Sequence, residues 1–305
     1  MTNEEILKST ISTGTISDGI LKPAQAKKFL MSVMEKSTLS SLVRHEMVSA
    51  QSGELPKLGI GRRLLRKKTE DTDDGYRANV KTSKIEYACT PVKLPWELTG
   101  EALRQNVEGS SFEEKVEYLM TTQMNSDEED IWVNGDTSTP STDEDYNFLK
   151  INDGWVKQIN AGGHVFNANN ADMSIDMFYD SIRLIPNKYN TGKLRWIMSP
   201  NRKQKWEQTL LNLAMNNGGA VPESLLNSPV SIPVIECGKL SDDKIMLADP
   251  KNLCVVNSYG VQIRSSDQGR EAIMMDKKFY AIHFDFDAVI EELDATLLIK
   301  NIKAI

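Results

Sequence analysis

Apolar positions recur along this chain with two different periods, and the places where the period switches lay out its elements. After Ser111, the residues Phe112, Val116, Leu119, Met120, Met124 and Ile131 stand three, four or seven apart, which is one face of an α-helix. Ser111 and Glu114 make the S-x-x-E pattern that satisfies free N–H donors at a helix start. Asn134-Gly135 supplies residues suited to a left-handed cap at its end. The pattern predicts a helix over 111–134, long for a globular domain. Its other side carries Glu113, Glu114, Glu117, Glu128 and Glu129, as a solvated face would. Near the C-terminus the period becomes two. Tyr280, Ile282, Phe284 and Phe286 alternate with Ala281, His283, Asp285 and Asp287, which predicts a strand with one buried and one half-exposed face.

The rest of the chain fills in around these two elements. Residues 1–21 are polar and read as an extended arm. Pro23 suits the first turn of a short helix whose Phe29, Leu30, Val33 and Met34 form an apolar stripe, too short to stand without docking on something. Residues 51–95 read as a long hairpin with Ile85, Tyr87 and Cys89 alternating and a tip near Asp73–Gly75; an isolated hairpin is marginal in water, so this one must lean on another surface. A polar Ser/Thr/Asp stretch follows Gly135. Ser174 then caps a helix bearing Ile175, Phe178, Ile182 and Ile185, and Arg195–Met198 is a strand. Ser199-Pro200 opens a helix with Trp206, Leu210, Leu213 and Ala214 on one side. Short strands are predicted at 233–236, 244–248, 252–256, 261–264, 279–287 and 296–300. Helices and strands mix without regular alternation, so the fold class is α+β.

Composition adds limits. The 305 residues, 40% hydrophobic and 26% charged, suit about two globular domains and exclude wholesale disorder. Three widely spaced cysteines fit a reducing compartment without a disulfide framework. No apolar run is long enough to span a membrane, and the start MTNEEILKST is not a secretory signal. Candidate chemistry is thin. His45, His164 and His283 stand far apart and away from the cysteines, so neither a metal nor a cofactor is expected. Gly59-Ile60-Gly61 lacks the third glycine of a dinucleotide fingerprint, and Asp71–Gly75 has the wrong spacing for a calcium loop. No nucleophile-elbow, zincin or P-loop pattern occurs, and an enzyme is not expected.

Charge is more informative when resolved along the chain. The formal net charge is -7, but between Lys57 and Lys93 ten basic residues face five acids, and from Glu101 to Asn147 thirteen acids face Arg104 and Lys115. A basic hairpin thus precedes an acidic helix. The two could pair within one molecule. They could instead pair between copies, hairpin on helix, in a contact that closes into rings or shells. A third reading gives the hairpin to nucleic acid, although 57–70 has no interleaved aromatics for single-strand stacking and the acidic total argues against sequence-specific DNA binding.

The order of parts, together with the stretches DEEDIWVNGD (127–136), LRWIMSPNRKQKWEQTLL (194–211), IPVIECGKLSDDKIMLADPKNLCVVNSYGVQIRSS (232–266) and FYAIHFDFDAVIEELDATLLIKN (279–301), resembles the major capsid proteins of tailed bacteriophages, the Hong Kong 97-like fold. The similarity covers most of the chain after residue 50. It implies an arm and short helix at 1–50 and an extended loop at 51–95. It further implies a peripheral domain with a spine helix from 96–144 and 276–305, and an axial domain at 145–275. By the same resemblance the chain self-assembles into pentamers and hexamers of an icosahedral shell around double-stranded DNA, bound without sequence specificity, within the host bacterial cytoplasm and then in the virion. Inter-subunit contacts are expected at Arg62, Arg63, Arg66, Lys67 and Lys68 of the loop and at Glu113, Glu117, Glu128 and Glu129 of the spine helix. The short N-terminal region leaves no room for a cleaved scaffolding segment, so a separate scaffolding protein is expected, with a portal and a cement protein as further partners. Lys67 and Lys68 are placed for a crosslink of the kind some relatives form, but no acceptor is identified, and non-covalent assembly is the expectation. The alternatives are an encapsulin-like compartment enclosing a protein cargo, and a hydrolase built on two converging carboxylates.

Overall fold

The computed structural model describes residues 39–59, 65, 67, 77, 81–105, 111–190, 192–217, 226 and 228–304. The predicted arm, the helix after Pro23 and the expected hairpin tip lie outside them. Two five-stranded sheets and a two-stranded hairpin organise the described residues. The first sheet comprises β1 (Arg44–Met47), β4 (Thr90–Thr99), β9 (Leu253–Asn257), β10 (Gln262–Ser266) and β11 (Lys277–Ile290). The long β11 is its spine: antiparallel β4 and β10 flank its first part and antiparallel β9 its last part, while β1 runs parallel to β9. In β4 the prolines at 91 and 95 lack an N–H, which an edge position tolerates. The second sheet has the order β5 (His164–Asn167), β12 (Leu297–Lys300), β8 (Ile245–Ala248), β6 (Arg195–Met198) and β7 (Val234–Glu236). Its β8, like β9 of the first sheet, is apolar at nearly every position because both of its faces are covered. The hairpin pairs β2 (Ser52–Gly59) with β3 (Lys81–Ala88), from Ser52 opposite Ala88 to Gly59 opposite Lys81.

The helix Ser111–Asn134 packs Phe112, Val116, Met124 and Ile131 into the larger core, together with Trp96, Tyr280, Ile282, Phe284 and Phe286 of the first sheet. Its C-terminal half is buried on a second side as well. Trp132 tilts against Trp155 with ring centroids 6.0 Å apart and meets His45 edge-on at 5.8 Å. Gly135 is required there for space and not for a left-handed cap: its φ is negative, and a Cβ would lie 2.3 Å from the Asn152 carbonyl oxygen. The helix Ile175–Ile182 begins as predicted, with the Met177 N–H donating to Ser174 Oγ at 3.2 Å. In the helix Pro200–Asn217, the Arg202 N–H donates to Ser199 Oγ at 3.1 Å. Phe178 meets both Trp196 and Trp206 edge-to-face, each at 4.9 Å, in the second core.

The predicted boundary at 275/276 does not separate the two sheets. β9 and β10, placed by sequence in the axial part, belong to the first sheet, and β12, placed in the peripheral part, lies between β5 and β8 of the second. The chain crosses from one sheet to the other between Ile290 and Leu297. Asn252 clamps that crossing, its amide donating to the Glu292 carbonyl at 2.9 Å while its Oδ1 accepts from the Glu292 N–H at 2.8 Å. The predicted hairpin also ends earlier than 95, since from Thr90 the chain pairs with β11.

Candidate functional site

Alternation in β3 turns Ile85, Tyr87 and the following Cys89 to one side, and that side docks on the first sheet. Tyr87 and Cys89 are buried against Cys254, Val256 and Val289. Burial pushes the Cys89 thiol up to about 11, with Asp285 and Asp287 adding to the shift, so it acts as a small apolar side chain there. Polar bonds complete the anchor. The Ala88 N–H donates to Asp287 Oδ2 at 2.7 Å, and Asn152 Nδ2 donates to the other oxygen of the same carboxylate at 2.8 Å. Lys57 pairs with Glu292 and donates to the Glu291 carbonyl at 3.1 Å. One end of the hairpin is thereby fixed by apolar packing and charge-assisted hydrogen bonds. Between Ala88 and Lys57 along the hairpin, Lys84 pairs with Glu54 across the strands in an exposed contact, and beyond them Leu65, Lys67 and Arg77 are exposed, Leu65 at 99%.

The half-exposed face expected of β11 is found at Ala281 and His283, which are half-buried, but not further along the strand. Asp285 and Asp287 are buried, because the hairpin base and residues 257–259 cover the side that alternation assigned to solvent. Asp285 accepts from the Ser258 N–H at 2.9 Å, from the Ser258 hydroxyl and from the Tyr259 N–H at 3.2 Å. Neither aspartate stands out in the sequence as a partnered group.

Of the loop residues expected to make contacts, Lys67 is exposed, whereas Arg62, Arg63, Arg66 and Lys68 lie outside the described residues. The acids expected on the helix separate into different environments. Glu114 is exposed and Glu117 half-buried. Glu113 pairs with Lys278 at 2.6 Å, which holds its carboxyl below the usual range. Glu129 corrects the solvated-face expectation: it is 2% exposed, its Oε2 accepts from the Leu39 N–H at 3.0 Å, and the Cys237 thiol lies 3.6 Å from its other oxygen. Helical spacing puts Glu129 on the side of Ser126 and Val133, which residues 39–43 and 237 cover. A neighbouring molecule cannot reach it.

Glu128 lies on the other side of the helix, in a groove of about 320 Å³ between the helix, β4, β11 and residues 147–151. Val92, Leu94, Met124, Ile131, Phe148 and Phe284 give the groove its apolar lining. Burial there pushes the Glu128 carboxyl up to about 7 and raises Asp127 as well, against a 2.6 Å hydrogen bond from Gln123 Nε2. A carboxyl whose pKa is higher folded than unfolded keeps its proton longer in the folded chain. Stability therefore falls as pH rises from the unfolded value of 4.5 towards about 7, and stays reduced above that. Replacing Glu128 by Gln is expected to stabilise the chain by about 1–3 kcal/mol at pH 8 after allowance for partial exposure, and by nothing at pH 4. Denaturant unfolding at the two pH values reads the difference, and equal effects at both would contradict it.

No protein-family model matches the chain. It is 24% identical over 322 residues to a prophage capsid protein of Bacillus subtilis (strain 168), YqbE, covering 99% of this chain and 100% of the relative. The capsid of an empty GTA particle superposes with a TM-score of 0.66 at 11% identity, over 97% of this chain and 99% of that one. A structure from Gordonia phage Cozz gives 0.65 at 13%, over 97% and 96%. The SrpI encapsulin of Synechococcus elongatus PCC 7942 gives 0.61 at 11%, over 97% and 96%. Over nearly its full length, the chain has the Hong Kong 97-like fold of tailed-bacteriophage major capsid proteins.

Proposed function

We propose that this chain is a major capsid protein, the repeating subunit of an icosahedral phage shell. The observation that carries the reading is a hairpin fixed at one end to the first sheet, with exposed Leu65 and Lys67 beyond it, in a chain whose fold and curated relative are those of a capsid. A hairpin of this kind buries little of itself and gains most from a neighbour. Pentamers and hexamers form around the second sheet, and the basic loop of one copy lies on the acidic helix of the next. Leu65 supplies apolar contact, and the charges set register and approach more than affinity. The shell assembles in the bacterial cytoplasm and encloses double-stranded DNA without reading its sequence, since nonspecific contact with phosphates needs only scattered cations. The role is structural and calls for no catalysis.

Purification of the full chain followed by electron microscopy tests the reading. Closed shells are expected. A monodisperse monomer, with or without co-expressed assembly proteins, would overturn it. Nuclease treatment and absorbance ratios of the particles then distinguish a DNA container from a protein-filled compartment.

A further inference from the structure

One face of the second sheet runs out at two lysines set side by side. β12 and β8 are antiparallel with Leu298 opposite Met246 and Ile299 opposite Ile245, so the next step of the register puts Lys300 opposite Lys244. Leu298 and Met246 are buried in the larger core, and the two half-buried lysines follow them at its edge. Like charges directly opposite each other destabilise an antiparallel pair. Among the described residues the Lys244 ammonium has no partner, and that of Lys300 has only Asn160 Oδ1, at 2.8 Å. Both lysines open on a pocket of about 270 Å³ bounded by the sheet, the end of the helix Ser111–Asn134 and the helix Trp155–Gly162. A third lysine on its wall, Lys157, is already engaged at 2.7 Å by Asp136, which also lines the pocket, and by Asp153. Lys244 and Lys300 therefore bring positive charge that this cluster does not cancel. With its oxygen taken by Lys300, Asn160 keeps its amide N–H groups free to donate among the described residues. No Arg lines the pocket to offer a carboxylate the planar fork it prefers. Ammonium groups act as point charges with several donors, which suits a phosphate, whose oxygens point in several directions. We propose that Lys244, Lys300 and Asn160 bind a phosphate group in this pocket and that the anion relieves the repulsion between the two strands. Asp136 faces the same site and weakens the hold. The group belongs either to a free phosphate or to a nucleic-acid backbone, whose recognition chemistry is the same here. The inference concerns a single chain and stands or falls separately from shell formation.

The test is calorimetric titration of the full-length protein with inorganic phosphate, in a buffer free of other oxyanions. Saturable binding of one phosphate per chain is expected. Lys244→Gln with Lys300→Gln should weaken it at least about tenfold, and Asp136→Asn should strengthen it. Thermal melts separate a binding site from two merely solvated lysines. Without phosphate the double variant should melt no lower than the parent, since it loses only a repulsion. With phosphate the parent's midpoint should rise and the variant's should not. Absent binding, or binding that the double variant retains in full, would overturn the proposal. A double variant that melts lower than the parent without phosphate would overturn it too, because the lysines would then be engaged by the protein itself. Thymidine dinucleotide, which carries a single phosphodiester, identifies the source of the group. Binding that depends on the same lysines supports a nucleic-acid backbone, and binding of inorganic phosphate alone supports a free phosphate.

Discussion

Replacing Arg62, Arg63, Lys67 and Lys68 together by Glu is expected to abolish shell formation while leaving the subunit folded. The fold should survive because the hairpin is fixed to the first sheet at its other end, through Tyr87, Cys89, Asp287 and the Lys57–Glu292 pair. Lys67 is exposed, and surface substitutions away from packed features change stability by about 0.5 kcal/mol or less. Assembly responds differently. Each exposed ion pair contributes only about 0–1 kcal/mol, but in a shell the same contact recurs at every subunit boundary, and reversal turns attraction into repulsion at each one. Glu114, exposed, and Glu117, half-buried, are the helix acids placed to feel that reversal, since Glu113 is engaged by Lys278 and Glu129 is buried. Sedimentation velocity and electron microscopy should show folded, unassembled subunits, with a thermal melt close to that of the parent chain. Normal shells would remove the loop-on-helix contact from the proposed assembly. Shells that form but lose their DNA would assign the loop to nucleic acid.

Legibility in the sequence followed how far each element depends on its own residues. The helix Ser111–Asn134 could be read from periodicity, as could the Ser174 and Ser199 caps and all six late strands, because their signals lie within a few residues of each other. Sheet membership could not. Nothing in LLIK says that β12 inserts between β5 and β8, since the partners are set by a crossing that Asn252 holds from a distant part of the chain. The same reason hid the site. Glu129 looked solvated because Ser126 and Val133, on its side of the helix, did not register as an apolar stripe, and the cover comes from residues 39–43 and Cys237. Asp285 and Asp287 looked half-exposed because alternation reports one covered face; the second was covered by residues 257–259 at Asp285 and by a hairpin base about two hundred positions away at Asp287. Hydrophobic pattern identifies what one face needs, and is silent about polar groups whose partners arrive from elsewhere.

Asp287 is the residue on which this second kind of information converges, and Asp287→Ala is expected to have the largest effect of any single polar substitution at the hairpin base. Its two oxygens hold the Ala88 N–H and the Asn152 amide, so one carboxylate ties the last residue of β3 and the segment after residue 151 to β11. Hydrogen bonds to a charged group contribute about 1.5–3 kcal/mol each, and a donor left unsatisfied costs a comparable amount. The two losses are coupled through a single side chain, so a total of about 2–4 kcal/mol is expected, read as a lower denaturant midpoint with unchanged slope. Asp287→Asn keeps one acceptor and should recover part of it. The loss should also be local. Amides 85–89 should lose protection from hydrogen exchange more than those of the long helix, because the apolar contacts of Tyr87 and Cys89 remain but no longer have the strand end fixed beside them. A hairpin loosened at its base presents its outer residues in many directions, so subunits that are still folded should assemble poorly. If Asp287→Ala instead unfolds the whole chain at once with no selective loss at 85–89, the carboxylate supports the core as a unit and the hairpin has no separate anchor.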